Sequence, residues 1–186
     1  MYFWYHQLQR MNNITIIDFE PHQQQWFESF NRRWIEDYFT MEAIDEYVLR
    51  NPQEAILIPG GAILMAMYNG EPAGTVALKK VNDNVYEFTK MAVGEDFRRK
   101  GIGEALSYAS FMKAANMGAK EIILYSNTKN AAAILLYEKL GFNHVPVEQG
   151  VYARANVKMS ISIEDALLAA GRYYSKSHDN KKINGQ

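Results

Sequence analysis

The chain has 186 residues, of which 48% are hydrophobic and 22% charged, a balance that excludes a disordered polymer and predicts one soluble domain burying roughly 70% of its unfolded surface. Its formal net charge of −1 leaves no polyanion footprint, so nucleic acid is not an expected partner. There is no cysteine, which excludes disulfides, thiolate zinc sites and cysteine-bound covalent intermediates and fits a cytoplasmic protein; the four histidines, His6, His22, His144 and His178, lack ligand spacing, so no metal is expected.

The opening residues, MYFWYHQLQR, are aromatic but lack the basic-then-apolar order of a secretory signal. Residues 1–13 therefore read as an N-terminal extension, a cloning remnant or a docking arm. Ile14 to Phe19 predicts a strand. Gln24 to Tyr38 predicts a helix in which Trp26, Phe27, Phe30, Trp34 and Tyr38 recur at helical spacing, a stripe that reads as core. A second helix, Met41 to Arg50, should stop before Asn51-Pro52, because proline disfavours helical geometry in the residue before it.

The run AILMAMYNGEPAGTVAL predicts two strands joined at Asn69-Gly70, whose tolerance of positive φ suits a tight hairpin. A third antiparallel strand, Val85 to Val93, follows the polar turn 82–84. Helix and strand then alternate: helix Gly103 to Met117, strand Glu121 to Ser126, helix Asn130 to Leu140, strand Phe142 to Val147, a pattern that implies parallel pairing. Val151 to Ile163 predicts a last strand, Glu164 to Tyr173 a short helix, and residues 174–186 a polar, disordered tail. Residues 14–173 are read as the single domain. No apolar run approaches the roughly 20 residues of a membrane span.

Between the third strand and the next helix lies FRRKGIGEAL, residues 97–106. Gly101 and Gly103 let the backbone approach a ligand, and the helix they open presents unpaired amides and about half a positive charge, so a phosphate is the natural guest. A Walker-type loop would need Ser or Thr after a Gly-Lys pair, but Glu104 follows the second glycine. A dinucleotide fingerprint would need a third glycine where Leu106 stands. Arg98, Gly101 and Gly103 instead match an arginine, two residues, glycine, one residue, glycine.

That pattern is common by chance, but here YEFTKMAV precedes it and NTKNAAAILLYEKLGF follows it. In this order and spacing the segment from Tyr86 to Phe142 resembles the coenzyme-binding half of the GCN5-related N-acetyltransferases (GNAT). The resemblance implies a mixed α/β fold: a mostly antiparallel twisted sheet flanked by helices, with a parallel pair of strands at the coenzyme site. It also implies acetyl-coenzyme A as co-substrate and direct acetyl transfer to a primary amine of a small molecule or peptide in a ternary complex. A homodimer is admitted as an assembly, with no nucleic acid and no membrane among the partners.

By the same resemblance, the amides of Arg99, Lys100, Gly101, Ile102, Gly103 and Glu104 hold the diphosphate, with Arg98, Arg99 and Lys100 adding charge. The backbone of Met91, Ala92 and Val93 pairs with the pantetheine arm, and the Val93 amide can donate to the thioester oxygen. Asn130 and Tyr137, seven residues apart and so on one helix face, would bind that arm and protonate the departing thiolate. Glu87 is the first candidate for general base, acting directly or through water, and Tyr125 the second. A catalytically silent acyl-coenzyme A sensor would use the same cradle. Acidic residues on the first two helices hint at a cationic acceptor.

Overall fold

The computed structural model describes residues 10–11, 13–148 and 152–183. Its frame is a twisted sheet of seven strands: β1 (Ile14–Asp18), β2 (Ala62–Tyr68), β3 (Glu71–Lys80), β4 (Val85–Val93), β5 (Glu121–Ser126), β6 (Asn143–Val145) and β7 (Val157–Ser162). Their order is β1-β2-β3-β4-β5-β7-β6, and Arg10–Met11 adds a two-residue pairing outside β1. Every neighbouring pair is antiparallel except β4 with β5. Alternation of helix and strand thus yields a single parallel pair, because β6 turns back onto β7 and β7 runs antiparallel to β5.

The two sheet faces bury different side chains, as the two-residue period of a strand requires. On one face Leu64, Val76, Leu78, Tyr86 and Phe88 join Ile102, Leu106 and Phe111 of α3 (Ile102–Asn116) and Ala166 and Ala170 of a final helix in one core. On the other, Ile63 and Ala77 meet Phe27 and Ile35 of α1 (Gln24–Tyr38) and Val48 and Leu49 of α2 (Ala43–Arg50). The remaining helices are α4 (Ala131–Leu140) and α5 (Ile163–Ile183), the latter extending past Tyr173, where the short sequence-read helix stops. None of the described helices is long and apolar enough to cross a membrane.

Local chemistry sets the joints. Asn69 and Gly70 both take positive φ, 51° and 88°, which gives the β2–β3 hairpin its two-residue turn. Helix α2 starts in a reciprocal box, in which the Glu42 side chain accepts from the third backbone amide and the Asp45 carboxylate accepts from the Glu42 amide at 3.3 Å. Gly141, φ 102°, caps α4.

The α1 stripe is only partly core. Phe27 and Ile35 are fully covered, but Trp34 is half-buried and Tyr38 is 48% exposed. The helix buries the face of Phe27, Asn31 and Ile35, spaced by four residues, and its aromatic flank turns toward a cavity. An aromatic stripe read from sequence alone does not distinguish the side of a helix that meets a sheet from the side that meets a ligand space.

Gly74 lies where β3, β4 and α3 converge: a Cβ there would stand 2.9 Å from the Ala92 carbonyl oxygen and 3.2 Å from both Ile102 and Leu106. Gly74→Ala is expected to cost about 1–3 kcal/mol by overpacking, read as a lower urea midpoint at unchanged slope. An unchanged midpoint would mean that this junction is looser than described.

Candidate active site

Strands β4 and β5 pair over only three residues, Val85 with Glu121, Tyr86 with Ile122 and Glu87 with Ile123, and then part. The parting begins beside a bulge in β4. Thr75 of β3 faces Ala92 and Ala77 faces Thr89, so Val76 stands opposite both Lys90 and Met91. Lys90 takes φ 51°, a left-handed conformation costing a side-chain-bearing residue roughly 1–2 kcal/mol. Such a bulge bends its strand and re-aims the residues beyond it.

Into this split opens a cavity of about 370 Å³. Because it lies in a gap of the sheet, side chains from both faces reach it. Glu87 comes from the α1 face, in line with Ala77 and Thr89, and Tyr137 from the α3 face, where its ring packs edge-on against Phe88 and Phe142 at 5.9 and 6.0 Å.

Of the residues expected from sequence, the cavity wall holds Glu87, Met91, Ala92, Val93, Arg98, Asn130, Tyr137 and Tyr125. Asn130 is the N-cap of α4, its side chain accepting from the Ala133 amide at 3.3 Å. Arg99, Lys100, Gly101, Ile102, Gly103 and Glu104 form the mouth of α3 rather than the wall. Gly101 caps that helix at φ 80°, Arg99 takes φ 61°, and no side chain caps the helix's first amides. Amides left without an intrahelical acceptor at this helix start suit an anion such as a diphosphate. The side chains here have other work: Ile102 is core, the Lys100 ammonium lies 4.8 Å from the Tyr68 ring centre, and Glu104 pairs with Lys139 at 2.5 Å.

Glu87 is 4% exposed and accepts a hydrogen bond from the Tyr152 hydroxyl at 2.8 Å. Burial, and then the charge of Glu87, push the Tyr152 phenol far above its ordinary range, so it remains a proton donor. Burial also pushes the Tyr137 phenol up to about 12. Tyr125 is raised too, chiefly by burial, and its hydroxyl donates to Glu148 at 3.2 Å, which makes it a poor base.

A buried charge cluster behind this wall is absent from the sequence reading. Asp45 of α2 is fully covered and takes the Lys90 ammonium at 2.7 Å and the Arg154 guanidinium at 2.5 and 2.9 Å; Arg154 also reaches Glu42 at 3.1 Å. Burial alone would raise the Asp45 carboxyl, but the Arg154 hydrogen bonds and the Lys90 charge outweigh it and hold the group at about 2. The one available signal was Lys90 itself, a cation inside an otherwise apolar strand end. Nothing in sequence spacing joins residues 45, 90 and 154. Among the described residues no group of three acidic or histidine side chains could hold a metal ion.

Residues 17–142 match the family model described as Acetyltransferase (GNAT) family. Over 108 residues the chain is 33% identical to an N-acetylaspartate synthetase of Xenopus tropicalis, covering 58% of this chain and 37% of that one. It is 32% identical over 102 residues to the [ribosomal protein bS18]-alanine N-acetyltransferase of Escherichia coli K12, covering 55% and 65%. The chain thus spans less than two thirds of the length of these relatives. Among solved structures, the putative acetyltransferase yncA of Salmonella typhimurium with its cofactor acetyl-CoA superimposes with a TM-score of 0.66 at 18% identity, over 82% of this chain and 95% of that one.

The Asp45 cluster yields a prediction. A folded-state pKa depressed from 3.8 to about 2 means stability present above pH 4 and lost as pH falls toward 2, roughly 2 kcal/mol in all. Asp45→Asn, which strands two buried cations, should cost about 3–5 kcal/mol at pH 7 and flatten that acid slope. Urea titrations at pH 7, 4 and 2.5 measure both; equal slopes in the two proteins would contradict the assignment.

Proposed function

Because the chain belongs to the GNAT acetyltransferase family, we propose that it transfers an acetyl group from acetyl-coenzyme A to a primary amine, with both substrates bound together in the β4–β5 split. The observation that carries this reading is the convergence, on one cavity, of an open strand edge, a buried carboxylate and a half-buried phenol, beside the N-terminus of α3, whose cap residue Gly101 brings no side-chain acceptor to the first amides.

Each part of the chain has a task. The α3 amides from Ile102 to Glu104 hold the diphosphate, with Arg98 and Arg99 adding charge. Beyond Glu87 no described strand pairs with the facing edge of β4, so the backbone of Met91 to Val93 pairs with the amide-bearing pantetheine arm. Asn130, at the head of α4, lines the same channel.

The Val93 amide donates to the thioester oxygen as charge develops on it. Glu87 accepts the proton of the attacking amine, directly or through one water, while the new N–C bond forms and the C–S bond breaks. Tyr152 fixes the Glu87 carboxylate through its hydroxyl. Tyr137 returns a proton to the departing sulfur, and since burial holds its phenol near 12, it carries that proton at every working pH.

Tyr137→Phe is expected to lower kcat by about 10²-fold or more while leaving the calorimetric affinity for acetyl-coenzyme A within about twofold. Because the phenol titrates near 12, wild-type activity should rise with pH as the amine loses its proton and show no Tyr137-dependent fall below about pH 10. Gly101→Val, a branched side chain at φ 80°, should weaken coenzyme binding by about tenfold or more. Tight coenzyme binding with no thiol released across a broad amine panel would replace the enzyme by a silent acyl-coenzyme A sensor.

A further inference from the structure

The acceptor side of the cavity is built from aromatic surface around one unpaired negative charge. Trp34 and Phe39 contribute one aromatic pair, with ring centres 5.7 Å apart, and Tyr38 extends it at 5.9 Å from Trp34. Tyr125 and Tyr152 contribute a second, with ring centres 5.5 Å apart and planes inclined at 63°. None of these five rings is needed by the coenzyme-binding elements, which lie on β4, the α3 mouth and α4. Tyr38 lies outside the core altogether, while Trp34 and Phe39 rest one side on the Phe27 and Ile35 cluster and turn the other to the cavity.

The charges on this wall are selectively silenced. Lys90 and Arg154 both face the cavity, but both are held by Asp45, and Arg154 is further held by Glu42 and lies 5.7 Å from the Phe39 ring. Neither is free to receive a substrate carboxylate without breaking a buried pair. Glu87 has the opposite status: among the described residues no salt bridge reaches it, and its one described side-chain partner is the neutral Tyr152 hydroxyl. The wall therefore offers one unmatched carboxylate and rings. A second ammonium, as in a polyamine, would find its carboxylates, Asp45 and Glu42, already occupied. An acceptor carboxylate, as in an amino acid, would find Lys90 and Arg154 already paired and Arg98, the other cation of the lining, given to the coenzyme diphosphate. At about 370 Å³, near the lower end of the usual range for ligand pockets and shared with the pantetheine arm, the cavity leaves space for a small acceptor.

We propose that the acceptor is an arylalkylamine: a single primary ammonium that meets Glu87, carried by a short linker on a flat aromatic body that slots among Trp34, Phe39, Tyr125 and Tyr152. This rests on the acetyl-transfer reading above and adds the substrate class to it. Ring-on-ring contact and loss of apolar surface to the cavity supply the preference, and Glu87 supplies both the attraction and the base.

Thiol release from acetyl-coenzyme A, followed with phenethylamine, tryptamine, butylamine, spermidine, aspartate and a short alanine-first peptide, tests this. Phenethylamine and tryptamine should exceed butylamine in kcat/KM by about tenfold or more, and spermidine, aspartate and the peptide should fall below both aryl amines. Tyr38→Leu, at an exposed ring that can be lost without touching the core, and Trp34→Leu should each pull the aryl-to-alkyl ratio toward one. A faster reaction with spermidine, aspartate or the peptide overturns the aryl class while leaving acetyl transfer standing, and so does an aryl-to-alkyl ratio near one in the wild type. Failure of acetyl-coenzyme A to bind in calorimetry, with no amine turned over, instead removes the reading beneath it and the proposal with it.

Discussion

The site depends on one buried carboxylate. Asp45, in the first turn of α2, accepts Lys90 from the β4 bulge and Arg154 from the segment between β6 and β7, and so ties three distant parts of the chain together in the covered space behind the cavity. Lys90 is the left-handed residue of that bulge, a conformation usually left to glycine. The ion pair gives a lysine a reason to be there: the bend in β4 is stabilised by its own side chain reaching across to α2. Breaking the pair would leave both a strained backbone and an uncompensated charge.

From that bend the remaining geometry derives. A strand that continued in register would pair with β5 along its whole length and close the sheet. Since β4 and β5 part after Glu87 and Ile123, the sheet has a gap that both of its faces can reach. The Glu87 carboxylate from one face and the phenol of Tyr137, on the α4 helix, from the other then share a cavity, although a continuous sheet keeps groups on its two faces apart. The rings of Phe88 and Phe142 hold Tyr137, and Tyr152 holds Glu87, so both polar groups are fixed by packing before any substrate arrives.

Much of the backbone geometry around the α3 and α4 mouths was legible in the sequence because its determinants are local. Gly101 caps α3 in the left-handed conformation, Asn130 caps α4, and Asn69-Gly70 turns a hairpin, each a short-range rule about backbone geometry. The opposite wall of the cavity was less legible because its determinants are not local. The stripe from Trp26 to Tyr38 has a core helix's periodicity, yet Phe27 and Ile35 are fully covered while Trp34 divides its surface between that core and the cavity and Tyr38 is left exposed on the cavity's rim. Asp45, Lys90 and Arg154 sit in three unrelated sequence neighbourhoods, and only the fold makes them partners. Tyr152 likewise acquires its role only when β7 lies beside β5 and brings it to Glu87.

A crystal structure with bound coenzyme A tests the central claim most directly. The diphosphate is expected against the amides at the start of α3, the pantetheine arm alongside β4 in the split, and the sulfur within hydrogen-bonding reach of the Tyr137 hydroxyl. Coenzyme bound elsewhere on the sheet, or a sulfur remote from both Tyr137 and Glu87, would contradict it.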